Sequence, residues 1–241
     1  MPKTHCPRLI FIRHGQTDWS LSGKHTSFSN LDLTNFGELQ MEKTGELLIG
    51  EHESQMIKPQ NIVQIFSSPR LRARHTTQLL LKAIPPEIRS KIPVEYDEDI
   101  TEWNYGQYEG LTTAEIRKSR HDRGIDPPDH DWSIWSDGCE GGENYKKVTT
   151  RLDRFIQKVR SIHVKALNDG QPCDIIVVGH GHILRSLVAR WVSREINTDP
   201  ALMLDAGGVG VLSYQHHNID EPSIYLAGAF RVPVEQKGAD V

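Results

Sequence analysis

The sequence predicts an α/β protein, a three-layer α/β/α sandwich with a mostly parallel central sheet. Two patterns carry this: short runs rich in Ile and Val, and longer amphipathic segments of helical period that alternate with them. A third observation is size, since 241 residues can bury a substantial core on both faces of a sheet.

The first strand is expected at Leu9–Ile12 and the second at Ile62–Phe66. Directly after the second, "SSPRLRARHT" opens a helix, with Ser68 placed to cap it and Pro69 suited to its first turn. In that helix Arg70 and Arg74 share one face, while Arg72 and Thr76 share another that can turn inward. A long helix is expected over Glu143–Ala166, where Tyr145, Val148, Leu152, Phe155, Ile156, Val159 and Ile162 recur at helical spacing. Ile175–Val178 is the next strand, followed by a helix at Ile183–Trp191 with Leu184, Leu187, Val188 and Trp191 on one face. Val209–Tyr214 and Ile224–Ala227 complete the strands.

No repeat, low-complexity tract or linker interrupts the chain, so one domain is expected over residues 1–241. The Gly-, Pro- and Asp-rich stretch Arg117–Asn144 is long for a connection; it reads as an insertion over the sheet or a lid, within about 111–144. The tail from about 233 is polar.

Composition narrows the function classes. With 37% hydrophobic and 25% charged residues the chain has an ordinary globular make-up, and no apolar run approaches the ~20 residues that cross a bilayer, so no membrane contact is expected. A formal net charge of −4 argues against nucleic acid as a partner, and leaves an anionic ligand to be drawn by a local cluster. The start "MPKTHCPR" lacks an apolar signal core, and Cys6, Cys139 and Cys173 are odd in number and far apart. These point to a reducing compartment, the cytoplasm, with the nucleus and a homo-oligomer left open.

In an open parallel sheet, ligands bind beyond the carboxyl ends of the strands. The first strand delivers Arg13, His14 and Gly15; the second delivers Ser67, Ser68 and a helix bearing Arg70, Arg72 and Arg74. The strand at Ile175 delivers Gly179, His180, Gly181 and His182, with Arg185 one turn on. Glycines, helix N-termini and guanidinium groups converging on one edge suit a phosphate. Each of these residues also has an ordinary reading as a loop, core or solvated side chain. No metal or cofactor is expected, because His180 and His182 lack a third ligand at metal spacing.

"FIRHGQT", "SSPRLRARHT" and "VGHGH" together resemble the histidine phosphatase superfamily, whose founding branch is the cofactor-dependent phosphoglycerate mutases. The resemblance covers nearly the whole chain and implies a phosphoglycerate mutase-like fold. It implies that His14 attacks phosphorus, that Arg13 and Arg72 clamp the phosphoryl group, and that His180 donates a hydrogen bond to its oxygens. It makes Glu102, in "ITEWNYGQYEG", the proton donor. "RHGQTDWSLSGKHTSFSNLDLT", "WSIWSDGCEGGE" and "LDAGGVGVLSYQHHNIDEP" are further similar to the fungal sedoheptulose 1,7-bisphosphatases. That similarity implies His25, Thr26, Trp103 and Tyr105 around a sugar, with Gly181 and His182 also binding substrate and Gly208–Tyr214 beside it. Two departures weaken a mutase reading: Ser20 and Ser27 stand where mutases carry Asn and Gly, and their lysine and arginine pair is not reproduced. Arg117, Arg120 and Arg123 leave that second anion site open.

The chemistry suits these residues. A neutral imidazole is the nucleophile that the reaction needs, and nearby guanidinium groups disfavour protonation of His14. They also stabilise charge on the equatorial oxygens. A carboxyl beside a dianionic substrate holds its proton more tightly, which suits Glu102 as acid and then base. Glu95, Asp97, Glu98 and Asp99 just upstream read as solvated. The expected function is therefore a metal-independent sugar-bisphosphate phosphatase working through a phosphohistidine, on sedoheptulose 1,7-bisphosphate at its 1-phosphate. The rivals are a broad phosphomonoesterase, a phosphoglycerate mutase, a metal-dependent hydrolase and a non-catalytic phosphate-binding module.

Overall fold

A computed structural model describes residues 6–226. In chain order it contains β1 (Arg8–Arg13), α1 (Asp18–Ser22), α2 (Asn35–Leu48), β2 (Ile62–Ser67), α3 (Leu71–Leu81), α4 (Pro86–Arg89) and β3 (Val94–Tyr96). There follow α5 (Thr113–Asp122), α6 (Ile134–Asp137), α7 (Tyr145–Asp169), β4 (Asp174–Gly179), α8 (Gly181–Trp191), β5 (Val209–Tyr214) and β6 (Pro222–Ile224). Among these residues no helix is long and apolar enough to cross a membrane.

The six strands form one sheet in the order β3-β2-β4-β1-β5-β6. The first four run parallel, while β5 is antiparallel to β1 and β6 antiparallel to β5. The expected mostly parallel α/β sandwich is what forms. β1 and β4 read as continuous apolar runs because both faces are covered. Leu9 and Phe11 of β1 and Ile175 and Val177 of β4 point into one core, with α7 and α8. Ile10, Ile12, Ile176 and Val178 point into the other, with α2 and α3. This is the period-2 alternation of a strand used on both sides.

Several expectations need correction. The helix after β2 starts at Leu71, not at Ser68: Arg70 stays extended (φ −67°, ψ 141°), and the Ser68 N–H is bound to the Val178 carbonyl. The last strand is Pro222–Ile224 rather than Ile224–Ala227, set by pairing of Leu212 with Ile224; Ala227 and the polar tail from 233 lie outside the described residues. The edge strand β3 and helix α2 were not expected at all. The segment 111–144 contributes α5, α6 and the buried Trp132 and Trp135, which belong to the same core as Leu9 and Phe11.

Register levels the strand ends that matter. Arg13 pairs with Gly179, and Ser67 with Val178, so the carboxyl ends of β1, β4 and β2 stop together. The His14 N–H then bonds the Gly179 carbonyl at 3.0 Å, and His14, His180 and Ser68 leave the sheet side by side.

Candidate active site

Beyond those strand ends opens a cleft of about 370 Å³. Of the residues expected there, Arg13, His14, His25, Thr26, Glu102, Tyr105, Gly181 and His182 line it. Arg72 and His180 lie immediately behind the wall, 0% and 1% exposed. Trp103 is elsewhere: it is fully buried, its indole N–H donates to Ser186 Oγ at 3.3 Å, and it packs edge-on against Trp135. Its large ring is used to seat Glu102 on the core rather than to touch the cleft. Gly208 does adjoin the site, its carbonyl accepting the Arg13 N–H at 3.0 Å, but Val209–Tyr214 is committed to the sheet, and the preceding Leu202–Asp205 lines the cleft on that side.

His14 has a defined tautomer. Its Nδ1 lies 2.8 Å from the Gly15 carbonyl, which can only accept, so Nδ1 carries the hydrogen and Nε2 carries the lone pair. Burial, and then the Arg72 and Arg13 guanidinium groups, hold its pKa well below the ordinary histidine value. Burial is thus the larger cause, ahead of the guanidinium effect expected from sequence. Gly15 is required by packing: a Cβ there would sit 2.7 Å from the Gly37 carbonyl of α2. The glycine lets α2 close against the back of the site, rather than opening an approach for the ligand.

His180 stands 5.1 Å from His14, ring centre to ring centre. Its Nδ1 accepts from Arg72 Nε at 3.2 Å, so Nε2 donates to Ser68 Oγ at 2.7 Å. Burial first, then Arg72, keeps it neutral. Arg72 also donates to the carbonyls of Thr26, Ser27 and Ser29, tying β2's helix to the 25–29 loop. Among the described residues no carboxylate forms an ion pair with it, and burial draws its pKa down to about 10, so it is still a cation at neutral pH. Arg13 donates to the Leu204 carbonyl at 2.6 Å, and its buried Nε has no partner among the described residues.

Glu102 occupies the mouth of α8. His180 is the N-cap residue of that helix but makes no side-chain cap bond, because its ring is engaged with Arg72 and Ser68. Glu102 takes over: its carboxylate accepts the N–H of His182 at 3.0 Å and of Ile183 at 2.8 Å. The loop that carries it is clamped on both sides. Arg151 donates to the carbonyls of Asp99 and Thr101, both at 2.8 Å, and grips Glu143, whose Oε2 accepts the Asn104 N–H. Upstream, Asp97 is 7% exposed and paired with Lys158, not solvated, since it also caps the turn at Glu98.

The sugar-side wall is aromatic. His25 donates from Nδ1 to the Leu111 carbonyl, stacks on His182 at 11° and meets Tyr105 edge-on at 4.8 Å. His182 Nδ1 is 2.8 Å from the Tyr105 hydroxyl. His180 and His182 therefore serve two separate clusters, and among the described residues no group of three or more His, Cys, Asp and Glu is placed to hold a metal.

Arg117, Arg120 and Arg123 do not line the cleft, and each is engaged with another protein group. Arg117 binds the Trp132 carbonyl, Arg120 is paired with Asp126 and Tyr108, and Arg123 is paired with Glu140. Contributors that escaped sequence reasoning include the lining residues Thr17, Trp19, Lys24, Thr113 and Leu202–Asp205, together with Arg151 and Glu109, which accepts the N–H groups of Ser27 and Ser29 and so shapes the loop bearing His25. The signal for Arg151 was a lone cation on the apolar face of α7.

Comparison with known proteins follows the same lines. The chain is 43% identical to the sedoheptulose 1,7-bisphosphatase of Saccharomyces cerevisiae, over 96% of each chain. It is 32% identical to an acid phosphatase of Mycobacterium tuberculosis, over 87% of each. The solved phosphoglycerate mutase of Bacillus anthracis matches in fold, with a TM-score of 0.69 at 21% identity over 93% of each chain. The family model for the histidine phosphatase superfamily, branch 1, matches residues 9–223, and the chain belongs to that family.

Proposed function

We propose that this protein, a sugar phosphatase and phosphoric monoester hydrolase, removes the 1-phosphate of sedoheptulose 1,7-bisphosphate through a phosphohistidine at His14. The observation that carries the mechanism is the fixed tautomer of His14: Nδ1–H is spent on the Gly15 carbonyl, leaving an unprotonated Nε2 in a cationic pocket.

In the first step the Nε2 lone pair attacks phosphorus, and the bond from phosphorus to the sugar oxygen breaks. Glu102 gives its proton to that oxygen as the sugar leaves. Arg13, Arg72 and the His180 N–H stabilise the charge on the phosphoryl oxygens, a role that requires Arg72 and His180 to exchange protein partners for phosphate. In the second step water attacks the phosphohistidine, Glu102 takes its proton, and inorganic phosphate leaves. Unaided phosphomonoester hydrolysis is slow enough that these groups together supply about 20 kcal/mol or more.

The substrate reading is supported by the 43% identity to the yeast enzyme and by the neutral, hydrogen-bonding wall of His25, Tyr105 and His182. Thr26 and Gly181 complete the sugar side. A mutase reading loses its basis once Arg117, Arg120 and Arg123 are engaged elsewhere.

The test is phosphate release, with excess chelator, from sedoheptulose 1,7-bisphosphate, fructose 1,6-bisphosphate, 3-phosphoglycerate and an aryl phosphate. The seven-carbon bisphosphate is expected to be preferred, and His14→Ala to release none. Normal turnover by His14→Ala would falsify the covalent mechanism; equal rates across the panel would remove the substrate assignment alone.

A further inference from the structure

Three lysine or arginine side chains line the cleft, Arg13, Lys24 and Arg185, and the mechanism above uses Arg13 alone. A sugar phosphorylated at both ends brings a second dianion, which needs a cationic partner of its own. Arg185 is held for such a task. It rises from α8, and its guanidinium lies over the Trp135 ring at 4.8 Å. Trp135 packs against His182 at 5.4 Å, so Arg185 extends the wall made by His25, Tyr105 and His182. Lys24 is exposed, with its Nζ 5.8 Å from the Trp19 ring centre. A planar fork resting on a fixed ring is preorganised for phosphate, whereas a free ammonium must be ordered on binding.

Position along α8 separates the two arginines. The Arg13 guanidinium lies against Gly181, where an added Cβ would meet its Cζ at 3.4 Å. Arg185 is rooted four residues on, on the same helix face and ~6 Å along the axis. A sugar resting on His182 has one guanidinium toward each of its ends. Both arginines are tied to one loop through bonds that a phosphate can replace. Arg13 donates to the Leu204 carbonyl, and Arg185 Nη2 donates to Asp199 Oδ1, both at 2.6 Å. Asp199 is a weak competitor, because its side chain is 59% exposed and pairs open to water contribute little. The Arg185 fork also carries an unused donor, since its buried Nε has no partner among the described residues.

We propose that Arg185 exchanges Asp199 for the distal phosphate of a sugar phosphorylated at both ends, and that this exchange sets a preference for bisphosphates over monophosphates. The proposal rests on His14 and Arg13 taking the reacting phosphate. It supplies the second anion contact that Arg117, Arg120 and Arg123, outside the cleft lining, do not.

The experiment is kcat and KM for fructose 1,6-bisphosphate and fructose 1-phosphate, which share the reacting phosphate and differ only in the distal one. Sedoheptulose 1,7-bisphosphate is run alongside and is expected to follow the fructose bisphosphate. Arg185→Met keeps a stem on Trp135 and removes the fork. It is expected to raise KM for the bisphosphates about thirtyfold and to change the monophosphate constants less than about twofold. Arg185→Lys, which keeps the charge, limits the rise to about fivefold. Asp199→Asn keeps the oxygen that accepts the Ala201 N–H and removes the competing charge, so KM for the bisphosphates falls about threefold. Equal losses on both kinds of sugar in Arg185→Met, or a bisphosphate preference that survives it, overturn the proposal and leave the phosphohistidine mechanism standing. A bisphosphate KM raised as much by Lys24→Met, or raised by Asp199→Asn, overturns it too. A wild type that turns over both kinds of sugar alike binds no distal phosphate, which removes the bisphosphate reading along with the proposal.

Discussion

Arg72 and Arg151 are both buried guanidinium groups, 0% and 8% exposed, and their surroundings are opposite. Arg151 is neutralised: Glu143 meets it with two hydrogen bonds at 2.9 Å, and its remaining N–H groups hold two backbone carbonyls. Arg120 is the same kind of residue, paired with Asp126, which raises its pKa. Among the described residues Arg72 bonds carbonyls and a neutral histidine and has no ion pair, Glu102 acting on it only from further off, and burial lowers its pKa instead. A buried cation with its own carboxylate stabilises the fold. One without a carboxylate, facing a cleft with Arg13 and His14, keeps its charge available to an anion.

The largest expected effect tests that unpaired charge. Arg72→Lys keeps a cation but loses the planar fork, and kcat/KM should fall on the order of 10³-fold. Phosphate or vanadate, which at 100-fold excess over its dissociation constant adds about 2.7 kcal/mol to the wild type, should raise Tm far less in this variant. An undiminished Tm response in Arg72→Lys would place the anion elsewhere.

The paired charge should behave in the reverse sense. Arg151→Met takes the guanidinium from the half-buried Glu143, which keeps the Asn104 N–H, and should cost about 2 kcal/mol of stability, read from denaturant midpoints. It also releases the carbonyls of Asp99 and Thr101 on either side of the turn into Glu102. Below its Tm the variant should still bind phosphate, with kcat reduced more than KM is raised, because the anion pocket is intact and the proton donor is loosened. A changed phosphate affinity with unaltered stability would merge the two classes of arginine.

These arginines also mark the boundary of what sequence conveys. β1, β4, α7 and α8 were legible because each buries a continuous or periodic apolar pattern. α2 was not, because it docks through Gly37, Met41 and Gly45, and close approach by small residues leaves no apolar stripe to read. β3 was not, because all three of its residues are exposed at a sheet edge. In the site, the strand-end motifs brought His14, His180 and Arg72 forward, and the structure gathers them. Trp103 was placed on the sugar by its neighbourhood in the motif; which of two adjacent residues faces a cleft depends on the turn, not on the letters. Arg151 carries no motif at all, and its role exists only through carbonyls 50 and 52 residues away.

A third way of burying a basic group is to leave it uncharged. His163 on α7 is fully buried, bonded through Nδ1 to the Tyr214 hydroxyl, and burial pulls its pKa down to about 3. The unfolded side chain takes up a proton near pH 6.5, and the folded one does so only near 3. The unfolded state thus binds more protons in that window, and stability is lost as pH falls below about 6.5, by about 2 kcal/mol at pH 5. Between pH 6.5 and 5 the slope of unfolding free energy should be about one proton shallower in His163→Phe than in the wild type. Parallel slopes would mean that the histidine is charged, and paired, in the folded state.

The smallest effect belongs to the exposed counterpart of these pairs. Arg123 meets Glu140 at 2.6 Å, with both side chains in contact with water, and Glu140 also accepts from the Tyr108 hydroxyl. Removing the guanidinium strands no buried charge: Glu140 keeps Tyr108 and gains solvent, and exposed ion pairs contribute little. Arg123→Gln should therefore leave Tm and the kcat/KM for the sugar bisphosphate within error of the wild type, and leave phosphate affinity unchanged. The same measurement carries weight for function, because Arg123 is among the three residues that could have formed a second anion pocket. If Arg123→Gln raised KM for a bisphosphate and not for a monophosphate, the 111–144 segment would reach the distal phosphate, and the boundary between structural and functional arginines would have to be redrawn around it.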